Sequence, residues 1–568
     1  MAEKRIYGIG QQWLPNLLEK KAVYVDKTAY VYKLAQHGGI NYFLSRPRRF
    51  GKSLLVSTLQ CYFEGRRELF RGMAVEQLEK EWTQYPVLRI DLSLGKYYDE
   101  TSVDDICGGI LGRLEDDYGI ARRSGDKLSE RLSFLIKTAY ERAGLKVVVL
   151  IDEYDAPMLD SIHDETLQNH LRERVRDLFS PLKGMAQYLR FVFLTGISKF
   201  SQLSVFSELN NLTDLTFEPE FEGICGITEE ELFTVLKPDI ESLAERMGWQ
   251  LRRPMSYDEA VAELKRMYDG YHFTRQMTDI YNPWSLFYAF DRGWIDNYWF
   301  STGTPSSLIS LFRVKQIVMP QLEGIVADME RFNAPTERIT DPIPVLFQSG
   351  YLTIKDYDYV DKTFTLGFPN AEVYEGFGKS LYKYYCEEYI GSRDQMLIAF
   401  NSLRRKRTAF EDFLESVRKW YSGIPYSITD KNQNEQFYQA LFYSLMVGLG
   451  ADVEAEGQTS DGRFDIALKM ADAIYILEFK FARKRGQSDA RIGSVERGQT
   501  QPEAKFNKSA HEATEQILTK DYAVRFAADP RPVWAVGLNI SEDRRTIESY
   551  EVVAVDSSPA LRMPPSRR

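Results

Sequence analysis

Two stretches of the chain combine residue types that handle phosphate. The first is the loop Arg46-Pro47-Arg48-Arg49-Phe50-Gly51-Lys52-Ser53, whose Gly-Lys-Ser end suits a phosphate-binding loop. Gly51 lets the backbone approach phosphate oxygens, Lys52 supplies a cation to β and γ oxygens, and Ser53 offers a hydroxyl to Mg²⁺. Arg48 and Arg49 are candidate phosphate contacts because they sit in the same loop. The general pattern asks for glycine where this chain has Arg46, so on the motif alone a basic turn capping a helix stays open. Further on, the apolar run Val147 to Ile151 delivers Asp152 and Glu153 at its end. Behind a phosphate loop, the first such carboxylate holds the Mg²⁺ water shell and the second polarises an attacking water. An isolated acidic pair reads as a solvated loop start, but its place after a Gly-Lys-Ser loop favours the functional reading. Thr195, ending a later apolar run, is placed to sense a γ-phosphate, although such a threonine also serves as a cap.

The second stretch is Asp465, followed thirteen positions later by Glu478-Phe479-Lys480. If Arg463 to Leu468 and Ala473 to Lys480 pair as neighbouring strands, the period of two puts Glu478 and Lys480 on one face, within reach of Asp465. Two carboxylates so placed bind a hard divalent cation, and the lysine orients or helps deprotonate a water. The spacing alone fits equally an edge strand with its charges in solvent. Eight basic residues against three acidic between Phe479 and Ala510 give a local balance of +5 inside a chain of net charge −10. Phosphate backbones need such a patch, because the net field of the molecule does not attract them. A second basic run, Arg404 to Arg407, reads as either a contact or a helix face.

These residues need elements to position them. At 568 residues, and roughly 150 per domain, the chain amounts to about four domain-equivalents. Its composition of 44% hydrophobic and 27% charged residues is that of a globular protein with a sizeable core. Extended runs at Ile40 to Leu44, Pro86 to Leu92, Lys146 to Ile151 and Phe191 to Thr195 alternate with helix-permissive sequence, which predicts a mostly parallel sheet covered by helices. The expected fold class is α/β, with a core over 1–225, a helical lid over 226–310, a mixed, mainly helical joining region over 311–420 and a second α/β unit over 421–568. The aromatic run Tyr268 to Phe273 is expected to bury the lid. Four dispersed cysteines argue against a zinc cluster or a disulfide framework. Met1 to Gly10 lacks a signal-peptide core, and the longest apolar stretch, Ala440 to Leu449, is too short to span a bilayer. A soluble, cytoplasmic protein without membrane contact is expected.

Several longer stretches carry a resemblance. Tyr24-Val25-Asp26-Lys27-Thr28, the loop at 46–53, Leu150 to Asp155, Leu194 to Phe200, Tyr268 to Phe273 and Tyr281 to Ser285 resemble, in order, the prokaryotic AAA-ATPase-like family, in which Arg46 is part of the pattern. The resemblance implies an ASCE-type P-loop fold that binds ATP, with Lys52, Ser53, Asp152 and Glu153 in the roles given above. Gly462 to Asp465, Ile476 to Lys480 and Glu515-Gln516-Ile517 resemble the PD-(D/E)XK nuclease-superfamily domain often fused to it, a restriction-endonuclease-like α/β fold, with Phe464 in place of the proline. By the same resemblance Glu435 adds a third carboxylate and Gln516 a backbone or phosphate contact. The expectation is an ATP-hydrolysing protein, with ATP and Mg²⁺ as cofactors, fused to a Mg²⁺-dependent nuclease-like domain acting on DNA or RNA, with the lid controlling access to the second site. The alternatives are a nucleotide-switched protein that binds nucleic acid or protein without cleaving, and an ATPase acting on protein partners.

Overall fold

The computed structural model describes residues 5–120, 127–161, 164–199, 212–300, 319–334, 341–385, 392–423, 435–455, 458–459, 462–463, 465–482, 503–541 and 545–555. The chain divides into two compact units, one made of Met1–Ser307 with Leu322–Val373, the other of Leu308–Gln321 with Tyr374–Arg568. The stretch 311–420 is thus divided between them.

The first unit is built on five parallel strands, β1 (Asn41–Ser45), β2 (Val87–Asp91), β3 (Val147–Asp152), β4 (Leu189–Gly196) and β5 (Leu212–Asp214), in the order β2-β3-β4-β1-β5. All six residues of β3 are buried, as a strand covered on both faces requires. Its core includes Leu111 from α2 (Ser102–Asp117), Leu132 and Ile136 from α3 (Leu128–Ala143) and Val175 from α4 (Glu165–Phe179). The four expected strand runs coincide with β1 to β4 to within two or three residues. The decisive topological feature is that β4 lies between β1, which feeds the Gly-Lys-Ser loop, and β3, which ends in Asp152. That insertion is the ASCE arrangement, and the fold is α/β as expected.

A helical subdomain follows, with α5 (Glu229–Thr234), α6 (Lys237–Leu251), α7 (Tyr257–Tyr268) and α8 (Pro283–Arg292) around a core of Ile240, Leu243, Leu264 and Leu286. Its sequence signs are local. Thr228 with Glu231, and Ser256 with Glu259, form capping boxes. In Asn282-Pro283-Trp284-Ser285 the Asn282 side chain accepts from the Trp284 amide at 2.9 Å while Pro283 opens the helix. The two short strands β6 (Ile227–Thr228) and β7 (Ile280–Tyr281) pair antiparallel beneath these helices. The unit also contains a three-stranded antiparallel sheet of β8 (Ile325–Ala327), β9 (Thr353–Asp358) and β10 (Thr363–Gly367), in the order β8-β10-β9.

In the second unit, the strands β11 (Asp452–Ala455), β14 (Ile466–Lys469), β15 (Ile474–Ala482), β16 (Val533–Ser541) and β17 (Thr546–Val555) form one mixed sheet in that order. The short pair β12 (Gln458–Thr459) and β13 (Gly462–Arg463) stands beside it in sequence. Helices α9 (Ala371–Tyr385), α10 (Phe410–Ser422), α11 (Glu435–Gly448) and α12 (Glu503–Thr519) complete the elements used below. No helix among the described residues is long and apolar enough to cross a membrane. Helix α12 lies so close to β16 that a Cβ on Gly537 would come 2.0 Å from the Ala510 carbonyl oxygen and 2.9 Å from the Thr514 nitrogen. Gly537→Ala is therefore expected to lower stability by about 2 kcal/mol through overpacking. Gly38→Ala, where nothing lies within 4 Å, should leave the thermal unfolding midpoint unchanged in the same measurement.

Candidate functional site

Gly51, left-handed at φ +92°, turns the loop into α1 (Lys52–Phe63), so Lys52 and Ser53 open the helix where its backbone donors are unspent. Lys52 is buried; its Nζ donates to the Pro47 carbonyl at 3.3 Å and lies 3.5 Å from Glu153 Oε1. Over this loop opens a cavity of about 570 Å³, lined among others by Arg48, Arg49, Gly51, Lys52, Ser53 and Glu153. That is the size of a small-ligand site. Asp152 and Thr195 lie buried behind it, at the ends of β3 and β4. Neither Asp152 carboxylate oxygen accepts a hydrogen bond of normal geometry, although Arg89 Nη2 comes within 3.5 Å. Burial, with the charges of Glu153 and Asp91, pushes this carboxyl up to about 7, and Arg89 and the nearby Ser53 hydroxyl offset part of that. A buried carboxylate with unspent oxygens beside the Ser53 hydroxyl fits a divalent cation. Thr195 Oγ1 donates to the Leu44 carbonyl at 2.8 Å, so its proton is directed into the sheet.

Arg46, the residue standing where the general motif has glycine, does not face the cavity. It is buried, donating through Nη1 to the Ser45 and Thr216 carbonyls at 2.9 and 3.0 Å and through Nη2 to those of Phe221 and Glu222 at 3.4 Å. Its guanidinium sits 4.1 Å from the centroid of Phe273, and desolvation lowers it to about 10. A long cation thus ties the phosphate loop to the turn and the short 3-10 helix (Pro219–Ile224) that follow β5, and to the helical subdomain.

The aromatic run after α7 divides its labour in a way its composition hides. Tyr268 is buried in the helical core, as expected, but Tyr271 and Phe273 pack on Phe50 at centroid distances of 4.8 and 5.6 Å. Tyr271 and Phe273 therefore serve the loop. Gly270, at φ +88° and with Pro369 O 2.3 Å from any Cβ, allows the turn between Tyr268 and Tyr271. Phe50 also accepts a backbone hydrogen bond from Gly226 at 3.0 Å. Trp299 donates its indole proton to the Arg48 carbonyl at 3.2 Å and its backbone amide to the buried Glu372 at 2.7 Å.

Sequence reasoning missed Asp155. Fully buried, its Oδ2 accepts from the Ile197 and Ser198 amides at 3.1 and 2.7 Å and from the Ser198 hydroxyl at 2.7 Å, while Tyr154 donates to the Ser198 carbonyl at 2.8 Å. These bonds lock the acidic turn after β3 to the end of β4. The repeated acid in Asp152-Glu153-Tyr154-Asp155 was the available signal. Glu229, Asp269 and Asp279 also cluster, but Lys265 Nζ already sits among them at 2.8, 3.8 and 3.3 Å, and His272 meets Asp279 at 2.8 Å.

In the second unit, β14 and β15 pair antiparallel with Ile466 opposite Leu477, which brings Asp465 level with Glu478. Asp465 Oδ2 accepts from the Phe479 amide at 2.7 Å. Glu478 is buried. Its Oε1 accepts from Lys480 Nζ at 3.2 Å and from the Gln516 amide, whereas its buried Oε2 has no hydrogen-bond partner. Gln516 Oε1 in turn accepts from Lys480 Nζ at 2.8 Å, so Gln516 braces the lysine and the carboxylate together. Glu435, half-buried at the start of α11, adds its charge to the group. Burial, followed by the charges of Glu478 and Glu435, pushes Asp465 up to about 7, and burial raises Glu478 and Glu435 as well. Three carboxyls held above their usual range, with one orphaned oxygen, fit a divalent cation. Phe464 and the basic positions Arg483, Lys484, Arg485, Arg491 and Arg497 lie outside the described residues, as do the side chains of Lys505 and Lys508. Arg404 to Arg407 are exposed at the end of the helix Ser392–Arg404, and Lys406 pairs with Asp472 at 3.0 Å.

A family model described as predicted AAA-ATPase matches residues 8–206, and one described as PD-(D/E)XK nuclease superfamily matches 433–550. A protein of Azotobacter chroococcum mcd 1, the "uncharacterized protein in vnfD 5'region", is 31% identical over 539 residues, spanning 93% of this chain and 95% of that protein. The chain belongs to the AAA-ATPase-like family, with a PD-(D/E)XK-superfamily domain at its C-terminal end. Among solved structures, this AAA-ATPase-like protein is similar to the Aeropyrum pernix ORC1 protein in complex with DNA, at 12% identity and a TM-score of 0.24 over 65% of this chain and 97% of that one. The Pyrobaculum aerophilum Cdc6p structure scores 0.21 at 14% identity, over 62% and 93% of the two chains. Likeness at this level says nothing further about the chain.

Arg46 gives the AAA-ATPase-like unit a direct test. Arg46→Gly restores the general motif but leaves four carbonyls without their donor, and is expected to cost about 2–4 kcal/mol of stability. Denaturant unfolding checks this; an unchanged midpoint would show that Arg46 is not the clamp.

Proposed function

We propose that the first unit binds and hydrolyses ATP and that the second is a metal-dependent nuclease acting on DNA or RNA. The observation that carries this reading is common to both sites: a buried carboxylate with hydrogen-bonding capacity the protein leaves unspent, set close to a lysine or hydroxyl that handles phosphate. Most buried carboxylates in proteins are hydrogen-bonded, so an unspent one beside a phosphate-handling lysine or hydroxyl supports a site for a cation or substrate.

In the first unit, Lys52 and the opening turn of α1 would hold the β and γ phosphates, Ser53 and Asp152 would hold Mg²⁺, and Glu153 would orient and deprotonate the attacking water. Arg48 and Arg49 line the same space as phosphate contacts, and Thr195 would report on the γ-phosphate from the central strand. In the second unit, Asp465, Glu478 and Glu435 would hold the cation, while Lys480, braced by Gln516, would orient the water that attacks the phosphodiester. A divalent cation in either site supplies positive charge against the phosphate oxygens.

Lys52→Ala is expected to reduce ATP turnover by at least about 100-fold, as loss of a phosphate-neutralising charge does. Asp465→Asn and Lys480→Ala should abolish Mg²⁺-dependent cleavage while leaving ATP turnover intact. The assay is a metal titration on plasmid, linear DNA and RNA, with and without ATP. If the wild-type protein cuts none of these, the nuclease reading fails and the second unit is a binding domain.

A further inference from the structure

Arg49 is in a conformation that a long side chain rarely adopts. Its φ is +70°, in the left-handed region where glycine is at home, and it stands in a loop whose general pattern is rich in glycine. Its guanidinium lies 3.9 Å from the ring centroid of Trp284, a residue of the lid. Both residues line the cavity together with Lys52 and Ser53, and Arg49 is exposed to it. Trp284 is held from behind. Its backbone amide is fixed by the Asn282 cap and its ring packs on Tyr288 at 5.0 Å, while its buried indole Nε1 has no hydrogen-bond partner. Residues kept in disfavoured backbone regions concentrate at ligand clamps and switches, where surrounding structure holds them for a reason.

The contact joins a mobile-ended cation to a fixed aromatic face at the rim of a phosphate site. A cation–π contact at a solvent-accessible face is a weak hold, whereas a guanidinium meeting phosphate oxygens forms paired, charge-assisted hydrogen bonds. A polyphosphate entering the cavity therefore outcompetes the indole for Arg49. Arg48, the neighbouring like charge, has its carbonyl held by Trp299, so the loop backbone stays in place while the side chain moves.

Resting on the nucleotide reading of this cavity, we propose that Arg49 is a phosphate-responsive latch: it stacks on Trp284 in the empty site and transfers to the phosphates of a bound nucleoside triphosphate, leaving the Trp284 ring. Arg49 would then be the binding residue, and Trp284 the positioning residue that holds it ready.

The full-length protein is titrated with a non-hydrolysable ATP analogue, with ADP and with inorganic tripolyphosphate, following tryptophan emission and, independently, the heat of binding. Wild type should show an emission change with the analogue and with tripolyphosphate that is missing in Trp284→Phe. Arg49→Gly, which suits the backbone and so preserves the fold, should lose the same signal and bind the analogue roughly 10-fold more weakly, with Arg49→Lys intermediate. Wild-type affinity in Arg49→Gly, or an emission change that survives in Trp284→Phe, overturns the latch while leaving the nucleotide reading standing. If the wild-type protein shows no heat of binding with any of the three probes, both fall together.

Discussion

Asp152 ends β3 and Glu478 stands at the middle of β15, each a strand with a neighbour on both sides that helps to exclude water. Keeping a carboxylate there opposes its ionisation, which is why both are raised above their usual range. In each unit the surrounding elements fit that constraint. Beside β3 it is met by Arg89 and the Ser53 hydroxyl, while Lys52 meets the neighbouring Glu153 and Asp155 holds the next turn still. Beside β15 it is met by Lys480 and by an amide from α12. Neither arrangement fully satisfies its carboxylate, and each leaves that unspent capacity beside a lysine or a hydroxyl.

The parallel sheet was legible because buried strands read as unbroken apolar runs. Val147 to Ile151 announces β3 with little ambiguity, and the carboxylates that follow it need no long-range information to be placed. The pairing of β14 with β15 was legible for a related reason: a period of two fixes the facing side chains once two runs are taken as neighbours. What stayed hidden depends on contacts between distant loops. Arg46 looked like a defect in a phosphate motif, and nothing in its neighbours shows that its partners are carbonyls at Thr216, Phe221 and Glu222. Tyr271 and Phe273 looked like lid filling because aromatic content does not reveal which surface a ring will meet. Gln516 was expected to make a backbone or phosphate contact, and its sequence carried no sign that its amide bridges Glu478 and Lys480.

A phosphate loop in its general form is shaped by its own glycines. Here one glycine, Gly51, makes the final turn, and the rest of the shape is held by the loop's own Arg46, anchored on distant carbonyls, and by aromatic rings packed on Phe50. The subdomain that supplies Tyr271, Phe273, Trp284 and Trp299 thereby contacts the loop directly.

The positions of those outside supports have a consequence for the chain while it is being made. The loop is complete by Ser53, but three of the four carbonyls that hold Arg46 come 170 or more residues later, and the rings that hold Phe50 later still. At a ribosomal rate of about 5–20 residues per second, roughly ten to forty seconds separate the emergence of the loop from that of Phe273. Through that interval a nascent chain carries the phosphate-handling residues without the scaffold that shapes them. The loop therefore has its supports only once the chain has passed Phe273, and a product truncated before that point would carry the motif without the contacts that shape it.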